Sequence, residues 1–286
     1  LSLGIPMPAS SKGPFPVIVH NSPGTFEVGD ETVADLVRRG YILVSYQRTD
    51  LHPDWGKDPA AKKRRDRGDA RRAYPDHDWG CLRVWAWGGS VVINWLSTLP
   101  EADMGKIVCT GHSRGGQTAA LMGMMDERVA LVAPNAGGSI TTGCHRVGRN
   151  RSIKDKMNSV NAYWYHPNLI PFGDRETRLP FDLHFIKAAV APRAWFNANG
   201  LTDKLNVEGS MVTWRAAREV YDWMGVKEKC AQWYRDGGHD QGARDWKALA
   251  DFADFIFMDK PLPDPESFYQ EPWPDMPQHF SWKAPR

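Results

Sequence analysis

The segment GKIVCTGHSRGG at residues 105–116 places a serine in a glycine-rich turn between two segments of different character. Residues 106–110 are mostly apolar and β-branched, as in a buried strand, and residues 117–125 have the composition of a helix with one apolar face. Residues 111–115 fit G-x-S-x-G, in which small neighbours let a serine occupy a strained turn and project its hydroxyl above a sheet. The sequence therefore predicts a nucleophile elbow at Ser113; a plain glycine turn with Ser113 as helix N-cap is the alternative.

Strand-like and helix-like segments alternate along most of the chain. Strands are predicted at 16–20, 41–46, 106–110, 129–133, 194–198 and 231–234, and helices at 31–39, 79–99, 117–125, 207–224 and 243–257. Such alternation favours a parallel sheet with helices on both faces. Together with the elbow, it predicts an α/β-hydrolase fold, a mostly parallel sheet in a three-layer α/β sandwich.

The 286 residues are predicted to form one domain, 1–286, because no break in composition divides them. Residues 137–180 interrupt the alternation and predict an insertion over the carboxyl ends of the strands, where such sheets bind ligands. Residues 50–78 are predicted to form a long loop. The tail, 259–286, contains seven prolines and is predicted to wrap the domain in extended form. The chain starts inside a strand-like segment, LSLGIP, and we expect an upstream segment, with any targeting signal, to have been removed.

Charge and hydropathy predict neither a nucleic acid nor a membrane as partner. The formal net charge is +2, which produces no general attraction to polyanions. One basic cluster is present: Lys62, Lys63, Arg64, Arg65, Arg67, Arg71 and Arg72. Two aspartates interrupt it and no aromatic residues alternate with it, so it is predicted to be a solvated loop. No apolar stretch approaches the ~20 residues that a membrane-spanning helix needs.

The four cysteines are too few and too scattered for a disulfide framework or a zinc site. Cys109 lies in the strand before the elbow and is predicted to be a buried thiol. One disulfide among Cys81, Cys144 and Cys230 stays open at this point. No metal site is predicted from the cysteines.

A nucleophilic serine needs a base and a carboxylate that orients the base, and α/β-hydrolases carry them in the chain order Ser, Asp or Glu, His. Asp203 follows the strand at 194–198 and His239 follows the strand at 231–234. We therefore predict Asp203 as the acid and His239 as the base. The alternatives are a turn or cap role for Asp203 and a surface-loop role for His239, with His279 as the later competitor.

The oxyanion that forms during ester hydrolysis needs hydrogen-bond donors. The backbone N–H of Arg114, the residue after the nucleophile, is predicted to be one of them. Its guanidinium group is predicted either to add a charged donor or to form a structural salt bridge. The loop at 20–24 follows the strand that usually carries the second backbone donor, but it lacks an HGGG run.

The sequence stretches around these residues resemble those of a known family. The matching stretches are DWGCLRVWAWGGSVVINWL at 78–96, CTGHSRGGQTAALMGMMDERVALVAPNAGGS at 109–139, LPFDLHFIKAAVAPR at 179–193 and GGH at 237–239. In these stretches the chain resembles the glucuronoyl esterases, carbohydrate esterase family fifteen. The resemblance implies a cofactor-free serine esterase that cleaves the ester between glucuronic acid on xylan and an alcohol of lignin. It also implies Ser113 as nucleophile, His239 as base and Arg114 as the oxyanion arginine.

Three positions depart from the family pattern. A glutamate that serves as the acid in some members is replaced by Ala136, which leaves Asp203 as the candidate. A lysine that contacts sugar hydroxyls is replaced by Gln117, which is predicted to bind substrate as a neutral amide. A glutamate early in the insertion has no counterpart within 148–155. The family tryptophan of the sugar site corresponds to Trp164, which is predicted to stack on a pyranose; burial under the insertion is the alternative.

The leading prediction is an esterase for (4-O-methyl-)glucuronic acid esters that works through a Ser-His-Asp acyl-enzyme mechanism. The alternatives are an esterase for another acyl group on carbohydrate, such as acetyl, and a catalytically silent glycan-binding relative. The expected partner is a carbohydrate ester of the xylan or lignin-carbohydrate type. The resemblance suggests a secreted or periplasmic protein, and the sequence gives no oligomeric state.

Overall fold

Seven strands form one sheet in the described part of the chain. The computed structural model describes all residues except 10–12, 23–27, 55–67, 139–140, 150–151, 160 and 286; for Gly68 and Arg71 it describes the backbone alone. The strands are β1 (Leu3–Gly4), β2 (Phe15–Ser22), β3 (Ile42–Gln47), β4 (Ala102–His112), β5 (Val129–Asn135), β6 (Ala194–Gly200) and β7 (Cys230–Arg235). Their order is β1-β3-β2-β4-β5-β6-β7, and all neighbours are parallel except β1 and β3.

Helices cover both faces of the sheet. They are α1 (Asp30–Arg38), α2 (Gly68–Ala73), α3 (Cys81–Leu96), α4 (Arg114–Met125), α5 (Ile153–Asn158), α6 (His184–Ala188), α7 (Val207–Trp223) and α8 (Ala243–Met258). Successive residues of a strand point to opposite faces, so Val17 and Val19 pack with α3, α4 and α7, whereas Ile18 packs with α1 and α8. The predicted α/β-hydrolase fold is confirmed. In none of the described helices is there an apolar run long enough to cross a bilayer.

All of the predicted strands and long helices are present, with bounds that differ by a few residues. The helices α2, α5 and α6 were not predicted, because five or six residues are too few to show a helical period. Helix α2 lies where a loop was predicted, and most of the basic cluster, 62–67, lies outside the described residues. In the segment predicted as an insertion, α5 and short 3-10 turns surround Tyr165, which packs against Cys81, Leu82 and Trp85 of α3.

The tail and the cysteines also have defined places. After α8 the chain runs along the outer edge of the sheet, where Phe268 is buried against Phe252 and Tyr269 bridges to Gln232 of β7. A 3-10 turn at Pro265–Phe268 is the one regular element of this segment in the described residues. All four cysteines are buried and free, which settles the open disulfide, and Cys109 is the buried thiol that was predicted.

Helix α4 lies very close to β5. A methyl group on Gly116 would overlap the backbone oxygen of Asn135, and one on Gly123 would overlap the side chain of Val132. The Val132 side chain can move away from a methyl group on Gly123, but the backbone of Asn135 cannot move as easily. The contact at Gly116 is therefore the less tolerant of the two. The start of α4 therefore reaches its position only with glycine at this point.

We expect Gly116→Ala to lower the free energy of unfolding by about 1–3 kcal/mol, the usual cost of overpacking a close contact. Urea denaturation of both proteins measures the change. Gly29→Ala is the matched control, because a methyl group there meets no atom of the described residues within 4 Å, and its effect should stay below about 1 kcal/mol. Equal effects of the two substitutions would contradict the close packing of α4 on β5.

Candidate active site

Ser113 occupies a sharp turn between β4 and α4. Its backbone has φ 57° and ψ −119°, a conformation that costs of order 1–3 kcal/mol for a residue with a side chain. The Ser113 N–H donates to the carbonyl oxygen of Asn135 at 2.9 Å, which ties the turn to the end of β5. A Cβ on Gly111 would lie 2.7 Å from the carbonyl oxygen of Gly115, so these two positions hold the turn closed only as glycines. The local geometry is that of a nucleophile elbow.

The structure brings Ser113, His239 and Asp203 into one hydrogen-bonded chain. His239 Nε2 lies 2.8 Å from Ser113 Oγ, and His239 Nδ1 lies 2.8 Å from Asp203 Oδ2. Ser113 follows β4, Asp203 follows β6 and His239 follows β7, so all three start from the carboxyl ends of parallel strands. His279, the other candidate base, lies in the tail and has no contact with this group among the described residues.

Asp203 is held in its ionised form. Complete burial of its side chain opposes ionisation, but hydrogen bonds from His239 and from the backbone N–H of Leu205 stabilise the carboxylate and lower its pKa below the ordinary value. A carboxylate accepts hydrogen bonds only, so the proton on His239 Nδ1 faces Asp203. The lone pair of Nε2 is therefore free to accept the Ser113 proton, which is the orientation that nucleophile activation requires.

A second chain of hydrogen-bonded side chains begins at His112, whose ring packs against that of His239. The His112 ring lies 4.5 Å from the His239 ring, centroid to centroid, and its Nδ1 donates to Asn135 Oδ1 at 2.7 Å. Asn135 Nδ2 in turn donates to Asp245 Oδ1 at 2.9 Å. Asp245, at the start of α8, forms a buried ion pair with Arg235 of β7. The elbow, the end of β5 and the start of α8 are thereby connected.

Arg235 also holds the loop that carries His239. Its Nη2 donates to the carbonyl oxygens of Gly238 at 3.2 Å and Asp240 at 2.6 Å, the residues on either side of His239. A buried arginine that is paired and bonded in this way fixes the loop more firmly than glycines alone would. Roles for Arg235, Asp245 and Asn135 were not predicted from the sequence. Asn135 and Arg235 end strands of the sheet, and a polar residue at that place could have indicated a position near the site.

The guanidinium group of Arg114 is paired and stacked. Its Nη1 donates to Asp54 Oδ2 at 2.6 Å, and Tyr163 Oη donates to the other oxygen of Asp54 at 2.7 Å. The guanidinium carbon lies 5.0 Å from the centre of the Trp164 ring. The salt bridge considered for Arg114 is present. Its backbone N–H opens α4 and has no acceptor within the helix, so it stays available as an oxyanion donor.

Gln117 and Trp164 both lie close to the elbow. The backbone N–H of Gln117 donates to the carbonyl oxygen of Ser113 at 3.0 Å; the residue is only 7% exposed, its side chain bonds to Tyr165, and its Oε1 has no partner among the described residues. Trp164 stacks on Arg114 and lines a neighbouring cavity with Lys156. Neither is among the residues that line the cavity beside Ser113, and their contacts with substrate stay predictions.

A cavity of about 340 Å³ opens beside Ser113. Its wall includes Arg114 and Asp54 and adds His20, Arg48, Asp240 and Trp246. Two of these residues were not predicted from the sequence: Arg48, which directly follows β3, and Asp54, which lies in a loop whose sequence has no motif. No group of three or more His, Cys, Asp or Glu side chains with a metal-binding arrangement occurs in the described ranges.

Ala136 occupies the place of the family glutamate. It has a positive φ of 47°, and its N–H donates to the carbonyl oxygen of Ala198 at 2.8 Å, so it lies at the carboxyl ends of β5 and β6. Its methyl group offers no carboxylate. In the described part of the site the acid that contacts His239 is Asp203.

A serine at a nucleophile elbow, bonded to a histidine and a carboxylate at the carboxyl ends of parallel strands, defines the class of α/β-hydrolases. The family model for fungal glucuronyl esterases matches residues 1–225, more than half of the chain. The chain belongs to the glucuronyl esterase family, which confirms the resemblance found in its sequence.

Individual relatives agree. A carbohydrate esterase from an unknown prokaryotic organism is 29% identical over 62% of this chain and 44% of its own length. The 4-O-methyl-glucuronoyl methylesterase of Podospora anserina is 28% identical over 81% of this chain and 45% of its own. A carbohydrate esterase family 15 glucuronoyl esterase from Caldicellulosiruptor kristjansonii superposes with a TM-score of 0.85 at 26% identity, covering 99% of this chain and 79% of that one. The chain matches less than half the length of the first two relatives.

His20 makes the free energy of unfolding depend on pH. Burial, then the positive charges of Arg48 and His112, lower its pKa from 6.5 to about 3. Between these values the unfolded chain binds a proton that the folded protein does not, so the free energy of unfolding falls as the pH falls from 6.5 towards 3. The slope from one such group is at most about 1.4 kcal/mol per pH unit.

We expect His20→Asn to reduce this slope by up to that amount, measured by urea denaturation at pH 4, 5 and 6. Ser45→Ala is the control: it removes the hydroxyl 3.1 Å from His20 Nδ1 and should lower stability without changing the slope. An unchanged slope in His20→Asn would show that the histidine is not held neutral.

Proposed function

We propose that the protein is a serine esterase that hydrolyses an ester of 4-O-methyl-glucuronic acid through an acyl-enzyme. The observation that carries the proposal is the Ser113–His239–Asp203 chain, with both contacts at 2.8 Å. Membership of the glucuronyl esterase family and the name of the Podospora anserina relative support the uronate as the acyl group. Because the chain spans only part of such relatives, this activity is a proposal for this chain.

The first half of the reaction follows from the site's geometry. His239 Nε2 accepts the proton as Ser113 Oγ bonds to the ester carbon, and Asp203 stabilises the imidazolium that forms. The carbonyl oxygen becomes an oxyanion, which the backbone N–H of Arg114 stabilises. The C–O bond to the alcohol then breaks, and His239 returns the proton to the leaving oxygen.

Water completes the reaction by the same route. His239 accepts a proton from water as its oxygen bonds to the acyl carbon, and the bond to Ser113 Oγ breaks with return of the proton to the serine. The products are the free uronic acid and the alcohol. The hydrogen bonds of His239 to Ser113 and Asp203 support its role as general base in both halves of the reaction.

The identity of the acyl group has one rival. Gln117 is neutral and buried and is not among the residues that line the cavity, so it offers substrate no charged contact of the kind that the family resemblance assigns to a lysine. An acetyl group on carbohydrate needs no such contact and is the second candidate. A silent glycan-binding role is disfavoured, because folding does not require the three catalytic groups to meet.

Cell-wall polysaccharides lie outside cells, so we propose a secreted or periplasmic location.

We expect Ser113→Ala to lower kcat by roughly 10³-fold or more on any ester that the protein cleaves, because the nucleophile of the acyl-enzyme is lost. Steady-state kinetics with an activated ester measures the loss, and thermal unfolding confirms that the variant is folded. Full activity in folded Ser113→Ala would exclude the mechanism.

Asp203→Asn should keep the packing but no longer fix the histidine tautomer, and we expect kcat to fall by roughly 10³- to 10⁴-fold. Asp236→Asn is the matched control, because Asp236 is exposed in the loop that carries His239 and its side chain has no hydrogen bond to His239 in the described residues. If both variants lose activity equally, Asp203 has no special role.

The acyl group is tested by comparing kcat/KM on methyl 4-O-methyl-glucuronate with kcat/KM on acetylated xylose. We expect the uronate ester to be hydrolysed at least tenfold more efficiently. A preference for the acetyl ester would replace the uronate reading with the second candidate.

A further inference from the structure

Arg48 is a buried cation that faces the serine cavity. It follows β3 directly, its residue is 3% exposed, and it lines the cavity beside Ser113. Its Nη1 would lie 3.3 Å from a Cβ placed on Gly115, two residues after the nucleophile. The guanidinium carbon lies 4.9 Å from the centre of the Trp85 ring, which fixes the plane of the group from one side.

Arg48 forms no ion pair within the described residues. Its guanidinium makes one hydrogen bond there, from Nη1 to the carbonyl oxygen of Asn21 at 3.2 Å, and its Nε has no partner. The negative charge of Asp54 favours the charged form of Arg48, but Asp54 is itself paired with Arg114 at 2.6 Å. A buried charge without a counter-ion is expensive, so its retention needs a reason.

Two other buried basic side chains of the described residues have more partners than Arg48. Lys187 donates to three neutral oxygens, on Thr142, Ser210 and Thr213, at 2.6–3.1 Å, and burial lowers its pKa to about 7, so it can give up its charge. Arg235 has its ion pair with Asp245. Burial lowers the pKa of Arg48 to about 10, so the group remains charged at neutral pH. An anion that enters the cavity would restore the missing partner.

The proposed reaction produces such an anion. The ester is neutral, but its hydrolysis at Ser113 leaves a carboxylate at the carbon that was attacked. The cavity beside Ser113 is lined by charges of both signs, with Arg48 and Arg114 on one side of the balance and Asp54 and Asp240 on the other. Asp54 is paired with Arg114, so Arg48 is the lining arginine without an ion pair in the described part of the chain. Partial burial strengthens an interaction between a carboxylate and a guanidinium group.

We propose that Arg48 is the charged part of a carboxylate subsite beside Ser113 that binds the free uronic acid product. The inference rests on the proposed function for the identity of the acid. The consequence is that the acid product inhibits the enzyme selectively, because a neutral sugar of the same shape binds this subsite more weakly.

Calorimetric titration tests the subsite. Sodium glucuronate and glucuronamide, which has a neutral amide in place of the carboxylate, are titrated into the wild type and into Arg48→Gln. We expect the wild type to bind glucuronate at least tenfold more tightly than glucuronamide, and Arg48→Gln to lose most of this difference. Arg48→Lys keeps the charge but not the planar fork, and should retain part of the preference.

Arg193→Gln is the matched control. Arg193 is a partly buried arginine that bonds only backbone carbonyls, those of Gly123, Asp126 and Val129, away from the cavity. Its loss should lower stability and leave the preference for glucuronate unchanged. If Arg48→Gln does not fold, Arg48→Lys makes the same comparison, with an expected loss of at least threefold in glucuronate affinity and none for glucuronamide.

Hydrolysis of methyl glucuronate is measured on the same wild-type preparation. If the ester is hydrolysed but glucuronate binds wild type and Arg48→Gln equally, the subsite is overturned and the proposed function stands. If the ester is not hydrolysed but the Arg48-dependent preference for glucuronate persists, the subsite stands and the proposed function is wrong. Wild type that binds no glucuronate overturns the subsite.

Discussion

The site depends on the close contact between the start of α4 and the end of β5. Ser113 adopts a strained backbone conformation, and the hydrogen bond from its N–H to Asn135, together with the contact of Gly116 with the same residue, holds it there. Strain of this kind persists only where the surrounding structure leaves the backbone no alternative. The glycines are therefore required by packing and by chemistry at once: a side chain at Gly116 would lift α4 and move the serine hydroxyl away from His239.

Asn135 carries the same contact into the polar part of the site. Its backbone oxygen accepts from Ser113, its side-chain oxygen accepts from His112, and its side-chain nitrogen donates to Asp245. Asp245 in turn pairs with Arg235, which bonds the backbone around His239. One residue thus links the nucleophile to the loop of its base through fully bonded groups, and such networks hold geometry more rigidly than isolated bonds do.

The sequence predicted the fold well because the information is local. Hydrophobic period and glycine turns indicated each strand and long helix, and the chain order of an α/β-hydrolase pointed to Asp203 and His239, which the structure brings to Ser113. Contacts between strands are not local, so the pairing of Arg114 with Asp54 could not be read from spacing. The burial of Gln117 depends on how the segment around Tyr165 lies over α4. The lack of an ion pair at Arg48 likewise depends on which side chains from other segments lie near it, and spacing along the sequence does not show this.

Both edges of the sheet are covered by segments near the ends of the chain. On one side the two residues of β1 pair with β3 in the antiparallel direction, and on the other Tyr269 bridges to Gln232 of β7 while Phe268 is buried beneath. An uncovered edge strand offers free N–H and C=O groups to a strand of another molecule and invites aggregation. None of the described residues of the proline-rich tail lines the cavity beside Ser113. The tail thus protects the sheet edge from pairing with another copy of the chain, because prolines lack the N–H group with which a further strand would pair.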